Sequence, residues 1–189
     1  MTHFEPIDDD RWPEEAEALR GSFATQLNVY RTMAHHPRLL LAWAPLRDHV
    51  VVRNALGRQF SEVVILRTGH RLDAAYEWSH HVSRGRACGM SDRRIASIAG
   101  SPEEMEEADG TLAQAVDDLV LRHALQPATR EKVEGLVGVE GLFDLIATVG
   151  FYMSLGFIVK SFDTPVDATV AAELAARPLR PERETHSRA

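Results

Sequence analysis

The chain is short of sulfur and of lysine. Its 189 residues include one cysteine. One thiol excludes an intramolecular disulfide framework, a Cys-based zinc site and a CxxC redox motif. That thiol, Cys88, fits a reducing cytoplasm, the compartment expected for the protein. Positive charge is outweighed, with 21 lysines and arginines against 28 acids. The net charge is −7, and Lys132 and Lys160 are the only lysines. Without a basic excess to displace counterions, nucleic acid is not an expected partner. No contiguous apolar run approaches 18 residues, so no transmembrane helix and no membrane partner are expected. The acidic start, Met1 to Asp10, lacks the basic and apolar stretches of a secretory signal. His-Glu-x-x-His, Walker A and Gly-x-Gly-x-x-Gly patterns are missing too.

What remains is an ordinary globular composition, 44% hydrophobic and 26% charged, in a chain long enough for one domain. A domain of this size buries about 70% of its unfolded surface. No window alternates as a strand would, and glycines and prolines separate segments of helical period, so the fold class is all-α. Helices are expected over Trp12–Arg20, Leu27–Ala34, Pro37–Ala55, Gln59–His70, Asp73–Cys88 and Ser91–Ala99. The Val63–Leu66 run could be a buried strand by period alone; its helical neighbours favour a buried helix. Ser101 to Glu104 reads as a capping box opening a helix from Pro102 to Leu125, with a break near Gly110. Pro127 opens a helix to Leu136, and Gly138 and Gly141 frame a turn into a long apolar helix, Gly141–Val159. A last helix spans Ala168–Arg177, and the polar tail from Pro178 to Ala189 is expected to be mobile. The expected organisation is an N-terminal extension (1–24), a main all-α domain (25–165), and a C-terminal helix with tail (166–189).

The sharpest local feature is residues 73–81, DAAYEWSHH. On a helix, Glu77 and His81 share a face, with His80 three residues from Glu77. An acid stacked on an imidazole can transfer a proton and can raise the histidine pKa. Tyr76 is a nearby donor. Glu62 opens the apolar run Val63–Leu66, where partial burial would help a carboxyl hold its proton. Each residue also has a structural reading: a solvated Glu/His pair, a helix N-terminal acid at Glu62, core aromatics at Tyr76 and Trp78. His35 and His36 read as turn and packing residues. Glu77-x-x-His80 has the spacing of di-iron carboxylate bundles, but no second such motif follows, so no metal and no cofactor are expected.

Three stretches together, Glu62–Arg67 (EVVILR), Tyr76–His81 (YEWSHH) and Ala87–Ser91 (ACGMS), resemble the core of the carboxymuconolactone decarboxylase family, which shares its fold with alkyl hydroperoxidase D. The resemblance extends to Met33–Pro37 and Val149–Tyr152 and covers roughly residues 25–165. It implies an all-α homo-oligomer, trimeric or hexameric, with a dimer as the lesser alternative. In the hydroperoxidase branch a relay joins a glutamate, two cysteines, a tyrosine and a histidine. The resemblance sets these at Glu62, Ala74 and Glu77 (the cysteine positions), Tyr76 and His81. Both cysteines are therefore lost, and a peroxidatic reaction needs both.

The resemblance then implies decarboxylase- or isomerase-type acid/base chemistry on a small organic acid or lactone. Glu77 and His81 form the acid/base pair, Glu62 and Tyr76 relay or orient, and His80 and Trp78 contact substrate. The N-terminal extension and the Glu103–Leu125 segment suggest a subgroup longer than the short decarboxylases. Two alternatives stay open: a hydroperoxidase-like antioxidant protein using Cys88, and a non-catalytic homo-oligomer that binds a small ligand.

Overall fold

Residues 4–179 are described by a computed structural model, and helices are the only regular elements among them. The tail expected to be mobile lies outside them from residue 180 onward. Short 3-10 turns over Asp9–Arg11, Glu14–Leu19 and Phe23–Thr25 come first. The expected helix over Trp12–Arg20 is thus one of these turns. Pro13 stands before it rather than inside it, and the indole of Trp12 donates to the carbonyl of Ala16 at 3.1 Å, tying the turn back on itself. These turns are not a detached arm: Ile7, Trp12, Ala16 and Ala24 belong to the same buried cluster as Tyr76, Phe151 and Tyr152.

Helix α1 spans Asn28–Met33 and α2 spans Pro37–Asp48. The expectation of one helix from Pro37 to Ala55 needs correction, because the last turn, His49–Arg53, is a widened π turn. Its ends are held from outside. Asp144 takes the His49 imidazole at 2.6 Å and the Ala55 amide at 2.6 Å, and the Asn54 amide group donates to the Val50 carbonyl at 2.7 Å. Side chains so placed satisfy backbone groups that a regular turn would satisfy itself.

Helix α3, Arg58–Arg71, starts after Gly57, whose φ of 75° suits glycine. From Val63 to Gly69 it is buried on every side. It packs against α4 (Ala75–Ala87), α6 (Glu107–Arg122) and α7 (Pro127–Ser161). The helical reading of Val63–Leu66 therefore holds over the strand. Between α3 and α4 the chain turns at Asp73, with φ 49°, so α4 begins two residues later than the expected Asp73 start. Aspartate tolerates this left-handed geometry better than most residues.

Ser91 caps α5 (Asp92–Ser97) by accepting from the Arg94 amide, as the sequence predicts. The capping box at Ser101 does not form. The Ser101 hydroxyl pairs with Glu103, residues Pro102–Glu104 make a single 3-10 turn, and α6 starts only at Glu107. Gly110 lies inside α6 rather than breaking it. There the carbonyl of Pro102 presses against the helix, and a Cβ would collide with it.

The two helices expected after Pro127 meet where the sequence sets their boundary: Gly138 leaves helical geometry (φ 73°, ψ 179°) and kinks the chain between them, the whole stretch forming α7. Against the expectation of no membrane-length apolar helix, α7 is long and apolar enough to cross a membrane by length and composition. Half of its most apolar window is buried against the rest of the chain, as in a core helix. Helix α8, Ala168–Ala176, closes the described chain against α4.

Candidate functional site

Close packing of α3 on α4 sets the site. Gly69 is the contact point: a Cβ there would stand 3.3 Å from that of Glu77 and 3.4 Å from the Trp78 amide nitrogen. That approach brings Glu62, two turns up α3, level with His81 on α4. His81 Nδ1 lies 2.6 Å from Glu62 Oε2, and His81 Nε2 lies 3.8 Å from Glu77 Oε2. Glu62, His81 and Glu77 thus form a line of acid, imidazole and acid. Tyr152 of α7 stands edge-on to the imidazole at 5.0 Å and closes its flank.

Burial sets the charges. Glu77 is 3% exposed, and one of its oxygens has no hydrogen-bond partner. Loss of solvent pushes its pKa up to about 8, opposed only by the charge of Arg84. His81 is held below the usual histidine value, because burial outweighs the favourable pull of Glu62. This corrects the expectation that a stacked acid raises it: the stacked acid, Glu77, is itself neutral near pH 7. With Nδ1–H directed at Glu62, the neutral imidazole presents its Nε2 lone pair to Glu77.

Two cavities flank this line. The larger, about 490 Å³, is an open chamber bounded by Glu62, Ser61, Arg58, Arg84, Cys88 and the π turn's Val51 and Val52, among others. The smaller, about 20 Å³, lies behind it and is lined by Glu77, His81, Tyr30, Tyr76, His80 and Tyr152, among others. Arg47, Val51 and Arg84 border both. Glu62 therefore faces the chamber, Glu77 faces the inner pocket, and His81 joins them.

The other expected site residues lie elsewhere or are already engaged. The Tyr76 hydroxyl donates to Asp167 at 2.6 Å and accepts from the Val29 amide at 3.1 Å. It touches neither Glu77 nor His81 by hydrogen bond, so the relay expected of it is not formed. His80 places Nδ1 2.9 Å from the Tyr76 carbonyl and Nε2 2.8 Å from Asp167, leaving no ring nitrogen free for a substrate. Trp78 is corrected outright: it lines neither cavity, pairs with His70 at 6.0 Å and packs against the second buried cluster. One residue along a helix rotates a side chain about 100° from its neighbour, so Trp78 cannot share the face of Glu77.

Several residues of the site went unread in the sequence. Asp167 sits 87 residues from His80, with no local signal linking them. Arg84 had one, since it lies three residues after His81 and seven after Glu77 on the same face. Ala74, which the resemblance sets at the first cysteine position, is a buried methyl group. Cys88 borders the chamber, where burial and the charge of Glu62 push its thiol up. Among the described residues, no three His, Cys, Asp or Glu side chains are grouped to hold a metal ion.

No protein-family profile matches the chain, and no curated protein matches it. Solved structures do. The debrominase Bmp8 in its apo form superposes with a TM-score of 0.73 at 14% identity, over 93% of this chain and 97% of that one. A cysteine-to-alanine variant of that debrominase in complex with 2,3,4-tribromopyrrole gives 0.71 at 13% identity over 93% and 97%. The core of an alkylhydroperoxidase AhpD, described as an uncharacterized peroxidase-related protein from Ralstonia eutropha JMP134, gives 0.70 at 14% over 90% and 96%. The chain has the alkyl hydroperoxidase D-like fold. In this version of the fold, Glu62 and His81 meet as the sequence resemblance implies, while Ala74 and Glu77 stand where that resemblance sets the two cysteines.

Proposed function

We propose that the protein is an acid/base catalyst of the carboxymuconolactone decarboxylase type, acting on a small organic acid or lactone. The observation that carries this reading is the Glu62–His81–Glu77 line, set between a ligand-sized chamber and a buried, neutral carboxyl. Cavities of 300–1,000 Å³ suit small-molecule ligands. The alkyl hydroperoxidase D-like relatives include enzymes, and the fold therefore supports catalysis without choosing the reaction.

The chemistry follows from the charges. A substrate carboxylate in the chamber loses carbon dioxide, and the electron pair of the broken C–C bond spreads into a conjugated carbonyl as an enolate. One proton then completes the product. Glu77 gives its proton to His81 Nε2, His81 gives its Nδ1 proton to Glu62, and Glu62 delivers that proton to carbon. The relay ends with Glu77 ionised in a buried pocket, a state its raised pKa opposes, so the proton is drawn back from solvent for the next cycle. In an isomerisation Glu62 takes a proton from one carbon and returns it to another.

His81→Ala and Glu77→Gln are each expected to lower turnover by ~10²-fold or more, the usual contribution of a general acid or base. Deuterium uptake from D2O, followed by NMR across a panel of carboxylated lactones and unsaturated acids, supplies the assay. Unchanged turnover in both variants overturns the proposal.

Cys88 gives the peroxidase alternative one foothold, because its thiol borders the chamber. Its raised pKa and the lack of a second thiol oppose that reading. Peroxide consumption abolished by Cys88→Ser would favour it. Ligand-dependent thermal stabilisation without any product would favour a non-catalytic binding protein.

Assembly into a homo-oligomer belongs to the same proposal. Val139, Phe143, Ile146 and Phe157 of α7 stand exposed with spacings that keep them near one face, and Phe143 is 68% exposed. Apolar surface of this kind marks association sites.

A further inference from the structure

The acidic chain surrounds its chamber with arginine. Arg47, Arg58 and Arg84 all line it, against a single acidic residue, Glu62, whose oxygen is engaged with His81. Elsewhere in the fold the less exposed arginines are paired, Arg67 and Arg71 with Asp117, Arg86 with Asp92 and Arg94 with Asp109, whereas the other unpaired ones among the described residues, Arg38, Arg93 and Arg130, stand exposed. Among the described residues, none of the three chamber arginines forms an ion pair with an acidic side chain. Arg47 stacks over the Phe23 ring at 4.4 Å, and its buried Nε has no hydrogen-bond partner. The hydroxyl of Ser61, a residue only 5% exposed, lines the same chamber and is also without a partner.

Buried donors are rarely left unmade, and guanidinium groups are suited to planar oxyanions by their forked geometry. A phosphate would satisfy the charge but not the lining: Val51, Val52, Ile65 and Ala87 give the chamber an apolar wall suited to a carbon skeleton. We propose that the chamber is a carboxylate site, in which Arg47, Arg58, Arg84 and Ser61 select an organic acid over a neutral lactone or a neutral aromatic. This narrows the substrate class of the acid/base reading and rests on it only for the direction in which the ligand is turned. The anionic end meets the arginines, and the carbon skeleton lies along the apolar wall beside Glu62.

Calorimetric titration of the full chain tests the proposal without turnover. The probes are cis,cis-muconate and benzoate as acids, γ-butyrolactone as a neutral lactone, 2,3,4-tribromopyrrole as a neutral aromatic, and inorganic phosphate. The acids are expected to bind, more weakly as salt rises. Arg58→Gln and Arg84→Gln should each weaken them about tenfold to a hundredfold, as for loss of a hydrogen bond to a charged group. Arg58 is solvent-exposed, so its replacement leaves the core intact. Arg130→Gln, at an exposed arginine outside the chamber, should leave acid binding unchanged.

Neutral probes binding as tightly as the acids, or arginine variants that keep full affinity, would overturn the proposal. So would phosphate matching the acids. The two readings fail separately. Arginine-dependent acid binding with turnover untouched by His81→Ala removes the acid/base mechanism alone. His81-dependent turnover of a neutral lactone, indifferent to the arginines, removes the carboxylate site alone.

Discussion

At the scale of the residue, Glu77 is a costly side chain to bury. It has been taken almost wholly out of water, given no hydrogen bond at one oxygen, and placed 3.8 Å from an imidazole at the other. An ionised carboxylate in such surroundings is strongly unfavourable, and the group responds by holding its proton to a pKa of about 8. The folded value lies above the unfolded one, near 4.3. Folding therefore binds the proton more tightly, and stability is full below pH ~4.3 as far as this group is concerned and declines as pH rises through about 8. Glu77→Gln removes that dependence. Thermal melts should show the variant gaining on the parent protein between pH 6 and pH 9, with the difference shrinking toward pH 5. A difference that is flat with pH would mean that Glu77 is ionised in the folded protein. A chain selected for stability alone would not keep an acid there, which is why its position argues for use.

At the scale of the element, α3 carries both the site and its foundation. One turn beyond Glu62 the helix presents Arg67, 1% exposed, in a forked pair with Asp117 at 2.9 and 2.6 Å and against the carbonyls of Ile98 and Gly100 at 2.8 and 2.7 Å. This cluster fastens α3 to α6 and to the loop after α5. Arg67→Ala leaves Asp117 buried with only the half-exposed Arg71, so a loss of about 3–5 kcal/mol is expected in urea unfolding. Little change there would mean that α3 is held by apolar packing alone.

The elements themselves were largely legible in the sequence, because helical period and glycine stops are local signals: Gly57 and Gly89 stand at the junctions as read. What could not be read were contacts that span the chain. Asp144 reshapes the end of α2 from 89 residues away, and the Ser101 cap is lost to a closer partner, Glu103. The site divides in the same way. The pairing of Glu77 with His81 follows from spacing on one helix. The seating of Tyr76 and His80 on Asp167, and of Trp78 in another cluster, depends on tertiary packing.

At the scale of the whole molecule, the two buried clusters meet along α7, which serves both and still leaves an apolar face outward. For a chain carrying a net charge of −7, repulsion would keep copies apart unless such a face drew them together. Light scattering during size-exclusion chromatography is expected to find a multimer, and Phe143→Asp with Val139→Asp to shift it toward the monomer with helix content unchanged. A monomeric parent protein would remove the association proposal while leaving the chamber untouched, since Val139 and Phe143 do not line it.

The carboxylate of Asp167 bears on where this protein can be cut. It stands at the start of α8 yet makes no side-chain cap for that helix. Its oxygens are spent on the Asn28 amide, the Tyr76 hydroxyl and the His80 ring. Those partners belong to α1 and to the first turns of α4, where His80 immediately precedes His81. Asp167 acts as a keystone between the chain's two ends. A shortened form that stops at the end of α7, where the helical body looks complete, would strip two buried aromatic rings of their shared acceptor and loosen the helix that holds the imidazole. The smallest unit able to keep the site intact therefore includes residue 167, and α8 with it.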